Sequence, residues 1–267
     1  THGKKIPLKH TKGGKLQKDN PLDWMSDTVT FWSLAYKLRG NGSGERYERY
    51  CLQGQHLHMF VDVLENPLAN LALWNTKYDA HVCYNSGIDI WCAKPMDFMI
   101  AGNLVDENLH GALGLKECAP RGFAGRTPYL RALVEQGLVD PWKPIRMTHF
   151  TDIFGSKDTQ TGKRIVEYET SLFDLPRDKV ANYASLDAYA TLKLAEHLYQ
   201  ILTNTPIDDH YSMWDFYMNM AVPFTEVLWR MERRGLGVDR KHLKGLLAPL
   251  DKEILATHNK INKKAGW

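Results

Sequence analysis

Apolar and polar positions follow strand-like rhythms in several short stretches of the chain. Residues 29–38 are rich in β-branched and aromatic side chains, and a similar run at 45–52 follows a glycine-rich turn at 40–44. This arrangement predicts a β-hairpin. Short apolar runs at 68–74 and 88–93 predict two further, buried strands.

Helix-like rhythms fill much of the remaining chain. The clearest begins at Asp174-Leu175-Pro176, where an acid suited to capping precedes a proline suited to a first turn. Apolar residues then recur with a helical period to about Leu202. Further helices are predicted over 57–65, 76–86, 96–104, 113–119, 214–235 and 240–264.

The order of these elements indicates two parts. Strands mixed with helices over 1–205 predict an α/β domain, and helices alone over 206–267 predict an all-α segment. The 267 residues include 43% hydrophobic ones, enough for a sizeable core. The chain has no apolar run of roughly 18 residues, so we expect no membrane partner and a cytoplasmic location. Its four cysteines form no CxxC pair, which predicts reduced thiols.

Basic residues are concentrated at both ends of the chain, although the net charge is only +3. Such patches can neutralise phosphates, and for any single lysine a solvated surface position explains the charge equally well. The two clusters are Lys4, Lys5, Lys9, Lys12, Lys15 and Lys18, and Arg240, Lys241, Lys244, Lys252, Lys260, Lys263 and Lys264.

Two short motifs carry candidate chemistry. Asn75-Thr-Lys-Tyr78-Asp79 lies where a predicted strand ends and a helix begins, which is where open α/β sheets build their sites. Tyr183 and Asp187 lie four residues apart on the long predicted helix and so share one face. A phenol beside a carboxylate can aim a water molecule at a metal that the carboxylate holds.

Each motif alone also has a purely structural explanation. Asn75 could cap the following helix, and Asp79 could be a first-turn acid that faces the helix dipole. Tyr183 could be a core aromatic, and Asp187 a solvated acid. The two motifs together, each on the element expected for it, favour a shared functional site.

These motifs resemble the second and third motifs of the DnaQ-like exonuclease superfamily, Asn-x-x-x-Tyr/Phe-Asp and Tyr-x-x-x-Asp. The stretch from Pro95 to His110 and the segment Leu115-Lys116-Glu117-Cys118-Ala119 resemble the exonuclease region of DNA polymerase I. Downstream, 220–239 resembles the helix that opens the polymerase domain in that family, which disfavours a stand-alone relative such as ribonuclease D.

The resemblance implies a fold and a function. It implies a ribonuclease H-like mixed sheet flanked by helices over 1–205, followed by thumb-side helices of a polymerase domain over 206–267. It also implies a 3′→5′ proofreading exonuclease of a family A DNA polymerase, acting on a single-stranded DNA 3′ end. A long insertion at 140–175 and the basic start would suit a phage polymerase, with the host cytoplasm as its location.

The family removes a 3′ nucleotide with two divalent cations, Mg²⁺ or Mn²⁺, which suit carboxylate ligands. By resemblance, Asp187 holds the water-activating ion, Asp79 holds the second ion, and Tyr183 orients the water. Asn75 and Tyr78 are the candidates for contact with the substrate strand.

The first family motif, Asp-x-Glu on the first strand, is missing from this chain. Its single Asp-x-Glu, Asp251-Lys-Glu253, falls in the last predicted helix. We therefore expect an incomplete metal site, little or no nuclease activity from this chain alone, and a complementary polymerase segment or chain as a partner. The alternative is a non-catalytic module that binds DNA or protein with a degenerate exonuclease fold.

Overall fold

The computed structural model describes residues 27–38, 45–108, 113–123, 127–148, 156–157, 164–165 and 176–266. The basic cluster in the first twenty residues, the turn at 40–44, the cap at Asp174 and most of the insertion at 140–175 lie outside these ranges. The chain divides into two compact units, Thr1–Trp229 and Arg230–Trp267. The functional boundary expected near residue 205 stays a prediction.

The predicted hairpin is confirmed. Strands β1 (Phe31–Leu38) and β2 (Arg46–Gln53) pair antiparallel, with Phe31 opposite Gln53 and Leu38 opposite Arg46. Their aromatic side chains, Phe31, Trp32, Tyr36, Tyr47 and Tyr50, suit a pleated, half-buried surface.

A second, parallel pair is much shorter than the sequence predicts. Strand β3 (Ala72–Leu73) pairs with β4 (Met96–Asp97), and Leu73 lies opposite Asp97. The strand predicted over 88–93 is wrong, because Ile90–Ala93 forms a 3₁₀ turn. The Asp89 carboxylate accepts a hydrogen bond from the Trp91 amide at 3.0 Å, which favours this turn over an extended chain.

Among the described residues, the strands form three separate two-stranded sheets, the third being the short pair β5 (Ser156–Lys157) and β6 (Arg164–Ile165). Mixed α/β structure is therefore confirmed. Helices of the first part of the chain are α1 (Val61–Leu64), α2 (Thr76–Asn85), α3 (Phe98–Val105), α4 (Leu115–Cys118) and α5 (Pro128–Glu135).

The long helix α6 (Arg177–Thr203) organises the first unit. It packs against β1, β2, β3, α3 and α4. Leu194 and Leu198 are fully buried on it and belong to the main hydrophobic core. Both the hairpin and the parallel strand pair are thus held against this one helix.

A polar network fastens the hairpin to α6. The Tyr47 hydroxyl donates to Glu196 at 2.8 Å, and the Lys193 ammonium donates to the Tyr47 oxygen at 2.8 Å. Lys193 also pairs with Glu196 at 2.6 Å. A single exposed ion pair contributes little to stability. Here the Tyr47 hydroxyl is hydrogen-bonded to both Lys193 and Glu196, so the three side chains form one network.

The helices that follow α6 begin with α7 (Met213–Phe216), which opens with a capping box between Ser212 and Asp215. A π-helical turn (Tyr217–Ala221) continues into α8 (Val222–Arg234). The predicted helix over 214–235 is thus confirmed, with a π turn inside it.

Trp229 on α8 is the centre of a second core cluster. Its ring lies 5.4 Å from His81, 5.4 Å from Tyr84 and 5.7 Å from Trp91, measured between ring centroids. The indole is 4% exposed. This cluster ties α8 to α2 and to the 3₁₀ turn.

The second unit contains α9 (Arg240–Ala265). The Asp239 carboxylate caps it by accepting from the Lys241 and His242 amides, both at 2.9 Å. Gly266 ends the helix with φ of 76°, a conformation that glycine adopts readily. Among the described residues, no helix combines the length and the hydrophobicity that a membrane span needs.

Candidate functional site

Asn75 lies just after β3 and immediately before α2, as the sequence predicts. Its backbone is left-handed, with φ of 69° and ψ of 53°. Its side chain is exposed and makes no capping hydrogen bond to α2 within the described part of the chain. The alternative in which the Asn75 side chain caps this helix is therefore wrong.

Asp97 performs the capping instead. Its Oδ1 accepts from the Asn75 amide at 3.1 Å, and its Oδ2 accepts from the Thr76 amide at 2.9 Å. Oδ1 also accepts from the Met99 amide at 3.0 Å, and the carboxylate accepts from the Ile100 amide as well. One buried carboxylate therefore caps both α2 and α3.

Asp79 lies in the first turn of α2, half-buried and close to Asp97. Burial, and then repulsion from Asp97, raises the pKa of Asp79 to about 7. Burial also raises the pKa of Asp97, although its four backbone donors oppose that shift. A nearby cation would favour the charged form of both carboxyl groups.

Tyr78 precedes Asp79 on the same helix and is half-buried. Its amide donates to the Asn75 carbonyl at 3.1 Å, which closes the turn between Asn75 and α2. Asn75, Tyr78 and Asp79 therefore lie together at the start of α2.

Tyr183 and Asp187 lie one turn apart on α6, as predicted, and Lys116 from α4 reaches both. The Lys116 ammonium lies 3.7 Å from Asp187 Oδ2 and donates a hydrogen bond to the Tyr183 hydroxyl. It also lies 3.8 Å from the centroid of the Tyr183 ring. A further hydrogen bond, to the Thr148 carbonyl at 3.1 Å, fixes this ammonium in place.

The electrostatics of this group follow from its burial. Burial lowers the pKa of Lys116, and Asp187 opposes that shift. Burial, and then the Asp187 carboxylate, raises the pKa of Tyr183 to about 12. The Tyr183 hydroxyl therefore keeps its proton at neutral pH.

The structure sorts the predicted site residues into two groups. Asn75, Tyr78 and Asp79 lie with Asp97, and Tyr183 and Asp187 lie with Lys116. The carboxylates suit Mg²⁺ or Mn²⁺ in kind. Across the described ranges, however, no group of three or more His, Cys, Asp or Glu residues could hold a metal ion, so the acids fall short in number.

Asp97 and Lys116 join the candidate site in the structure, although the two motifs do not include them. Asp97 carries a signal that could have found it, since an acid directly before an apolar helix is a typical N-cap. Lys116 has no such signal, because its partners Thr148, Tyr183 and Asp187 lie 32 residues or more away along the chain.

We predict that Asp79→Asn stabilises the protein increasingly as the pH rises from about 4 to about 7. The folded-state pKa of Asp79 is raised from 3.8 to about 7, so the native chain retains a proton that the unfolded chain loses in this window. The wild type therefore loses stability there, by roughly 1.4 kcal/mol per unit of pKa difference. Urea unfolding of both proteins in EDTA across this pH range checks it; a constant difference between them would contradict it.

Comparison with known proteins gives relatives of one kind. No family model matches the chain. It is 25% identical to DNA polymerase I of Chloroflexus aurantiacus over 223 residues, which are 84% of this chain and 20% of the relative. It is 24% identical to DNA polymerase I of a Synechocystis strain, over 93% of this chain and 23% of that relative.

A plant relative is also a DNA polymerase I. The chain is 29% identical to the chloroplastic DNA polymerase I A of Oryza sativa, over 69% of this chain and 18% of that protein. The chain spans about a fifth of the length of the curated relatives it matches. These similarities support a DNA polymerase I-like region.

Proposed function

We propose that this chain carries the 3′→5′ proofreading exonuclease part of a DNA polymerase I-like protein, on a ribonuclease H-like fold, and the first helices of the polymerase domain. The placement of the two motifs carries the proposal. Asn75 to Asp79 form the junction of β3 and α2, and Tyr183 and Asp187 share one face of α6, which packs against β1, β2 and β3.

The proposed substrate is the single-stranded 3′ end of DNA. The exposed Asn75 side chain offers an amide to a nucleotide, because Asp97 has taken over the capping of α2. Tyr78 follows on the same turn.

Two divalent cations, when bound, would activate water and stabilise the leaving oxygen. Asp187 and Asp79 are the residues of this chain that would each hold one. The Tyr183 hydroxyl keeps its proton at neutral pH, and in this proposal it would donate a hydrogen bond to a water beside Asp187. Lys116 balances the charge of Asp187 and fixes the orientation of the Tyr183 ring.

In this proposal the remaining two acids come from a segment or chain with an Asp-x-Glu motif. Asp251 and Glu253 lie on α9 in the second unit. The β1–β2 sheet and the β3–β4 sheet are separate, and strands of both pack against α6 in the first unit. An added strand that carries the Asp-x-Glu motif and pairs with one of these sheets is the partner that this arrangement supports.

We predict that this chain alone cleaves DNA weakly or not at all, because two of four metal-binding carboxylates are missing. Several kcal/mol of transition-state stabilisation are lost with them. Titration of Mg²⁺ or Mn²⁺ against the chain and a labelled single-stranded DNA checks this. Efficient cleavage that Asp187→Ala abolishes would contradict it.

A non-catalytic module that binds DNA or protein is the second candidate. The pairing of Asp187 with Lys116 favours it, since an ammonium already neutralises that carboxylate. The coding sequence upstream of the Thr1 codon separates the two candidates. An in-frame Asp-x-Glu-Thr supports the exonuclease, and a start codon with nothing else supports the module.

A further inference from the structure

Asp97 links the first turns of two helices that lie far apart in the sequence. It accepts from Asn75 and Thr76, which are 22 and 21 residues earlier in the chain, and from Met99, two residues later. Its side chain is buried, at 4% exposure. Both carboxylate oxygens are used, so the link between α2 and α3 needs the whole group.

The turn that Asp97 holds is strained. Asn75 has φ of 69°, a left-handed conformation that asparagine adopts more readily than most residues but that still costs it more energy than glycine. Oδ1 binds the Asn75 amide and Oδ2 binds the next amide, so the carboxylate spans the strained residue and the start of α2. Such a conformation persists where its surroundings fix it.

Two predicted site residues depend on this turn. The exposed side chain of Asn75 leaves the backbone at the strained position itself. Asp79 lies in the first turn of α2, so its carboxylate moves with the helix start that Asp97 caps. Asp97 is also close enough to Asp79 for the two charges to repel each other.

We propose that Asp97 is a positioning residue. Its carboxylate fixes the Asn75–Thr76 turn, and through that turn it aims the Asn75 side chain at the DNA strand and the Asp79 carboxylate at a divalent cation. This inference rests on the proposed function for the identity of the DNA and the cation. The geometric part, that one carboxylate sets the turn, stands on the hydrogen bonds alone.

Three variants of the full chain distinguish a positioning role of Asp97 from an effect of its charge. Asp97→Asn keeps the volume but replaces one accepting oxygen with a donor. Asp97→Glu keeps the charge but lengthens the side chain by one methylene, so it cannot hold both turns in the same geometry. Asp89→Asn is the matched control, since Asp89 also caps a turn through the Trp91 amide but binds no residue of α2.

Amide NMR spectra measure the turn directly. In Asp97→Asn and Asp97→Glu we expect the amide proton signals of Asn75 and Thr76 to move upfield and to exchange with solvent at least about tenfold faster. The same signals should be unchanged in Asp89→Asn. Unchanged Asn75 and Thr76 signals in both Asp97 variants would overturn the proposal.

Broadening by Mn²⁺ tests the orientation of the Asp79 carboxylate. Because the proposed metal site is incomplete in this chain, the wild type and the variants are each joined to a segment with the Asp-x-Glu strand for this measurement. The Ala80 amide reports on Asp79, and the Ala188 amide reports on Asp187 in the same sample. Loss of a residue that orients a ligand typically costs 10–100-fold in metal affinity. We therefore expect both Asp97 variants to need about tenfold more Mn²⁺ to broaden Ala80, with Ala188 unaffected.

The outcomes are distinct. If Asp97→Glu broadens Ala80 like the wild type and only Asp97→Asn is weak, Asp97 acts through its charge and the positioning role is overturned. If Mn²⁺ does not broaden Ala80 in the wild-type protein joined to the Asp-x-Glu segment, the metal part of the proposed function fails, while the amide signals still decide the geometric part.

The wild type gives a further measurement should Asp97→Asn fail to fold. The Asn75 and Thr76 amides should exchange at least about tenfold more slowly than the Arg177 and Asp178 amides, because Pro176 gives α6 no side-chain cap. Equal exchange rates would overturn the proposal.

Discussion

Asp187→Ala is expected to lower 3′→5′ cleavage about a thousandfold in a protein that joins this chain to a segment with the missing Asp-x-Glu strand. Asp187 would hold the ion that activates water, and the loss of such a ligand removes several kcal/mol of transition-state stabilisation. A loss of about 4 kcal/mol corresponds to a thousandfold in rate. Release of nucleotides from 5′-labelled single-stranded DNA measures the effect.

Two variants on the same helix control this experiment. Asp187→Asn keeps the volume and should lose nearly as much activity, because the missing charge is the cause. Asp178→Ala removes an exposed acid from the first turn of α6 and should cleave like the parent protein. Equal activity of Asp187→Ala and Asp178→Ala would contradict the role given to Asp187.

Trp229→Ala is expected to destabilise the first unit by about 3–5 kcal/mol, the usual cost of truncating a buried aromatic side chain. The Trp229 indole is 4% exposed and contacts the rings of His81, Tyr84 and Trp91. Its removal leaves a cavity between α8 and α2. Urea unfolding followed by circular dichroism gives the free energy of unfolding.

Val227→Ala is the matched control for this truncation. Val227 lies on the same helix but is 50% exposed, so its truncation should cost well under 1 kcal/mol. If Trp229→Ala costs no more than Val227→Ala, the aromatic cluster does not hold α8 against the α/β core.

Elements with strong local signals could be predicted from the sequence. The hairpin, α2, α6 and α9 appear where the pattern of side chains places them. The strand predicted over 88–93 fails because the Asp89 side chain bonds locally to the Trp91 amide, a competition that hydrophobicity does not reveal.

The periodic pattern does not predict helix α5, although its capping signals are present in the sequence. Thr127 caps it by accepting from the Leu130 amide at 3.2 Å, and Pro128 occupies its first turn. The helix has only eight residues, which is short for a periodic apolar pattern to stand out.

In the candidate site, too, features set by neighbouring residues could be predicted, and contacts between residues far apart in the sequence could not. The motifs correctly place Asn75 and Asp79 at a strand–helix junction and Tyr183 and Asp187 on one helical face. The contacts of Asp97 and Lys116 join segments 21 to 71 residues apart. Only the folded chain brings these groups together. The cap at Asp97 could be predicted from its place directly before α3, whereas its bonds to α2 and the contacts of Lys116 have no local signature.

The most direct test compares this chain alone with the same chain joined to an N-terminal segment that carries an Asp-x-Glu strand. Both proteins are incubated with Mg²⁺ and 5′-labelled single-stranded DNA. We predict stepwise shortening from the 3′ end by the joined protein and little or none by the chain alone. Equal cleavage by both proteins, or no cleavage by a folded joined protein, would contradict the account of this chain as an incomplete proofreading exonuclease.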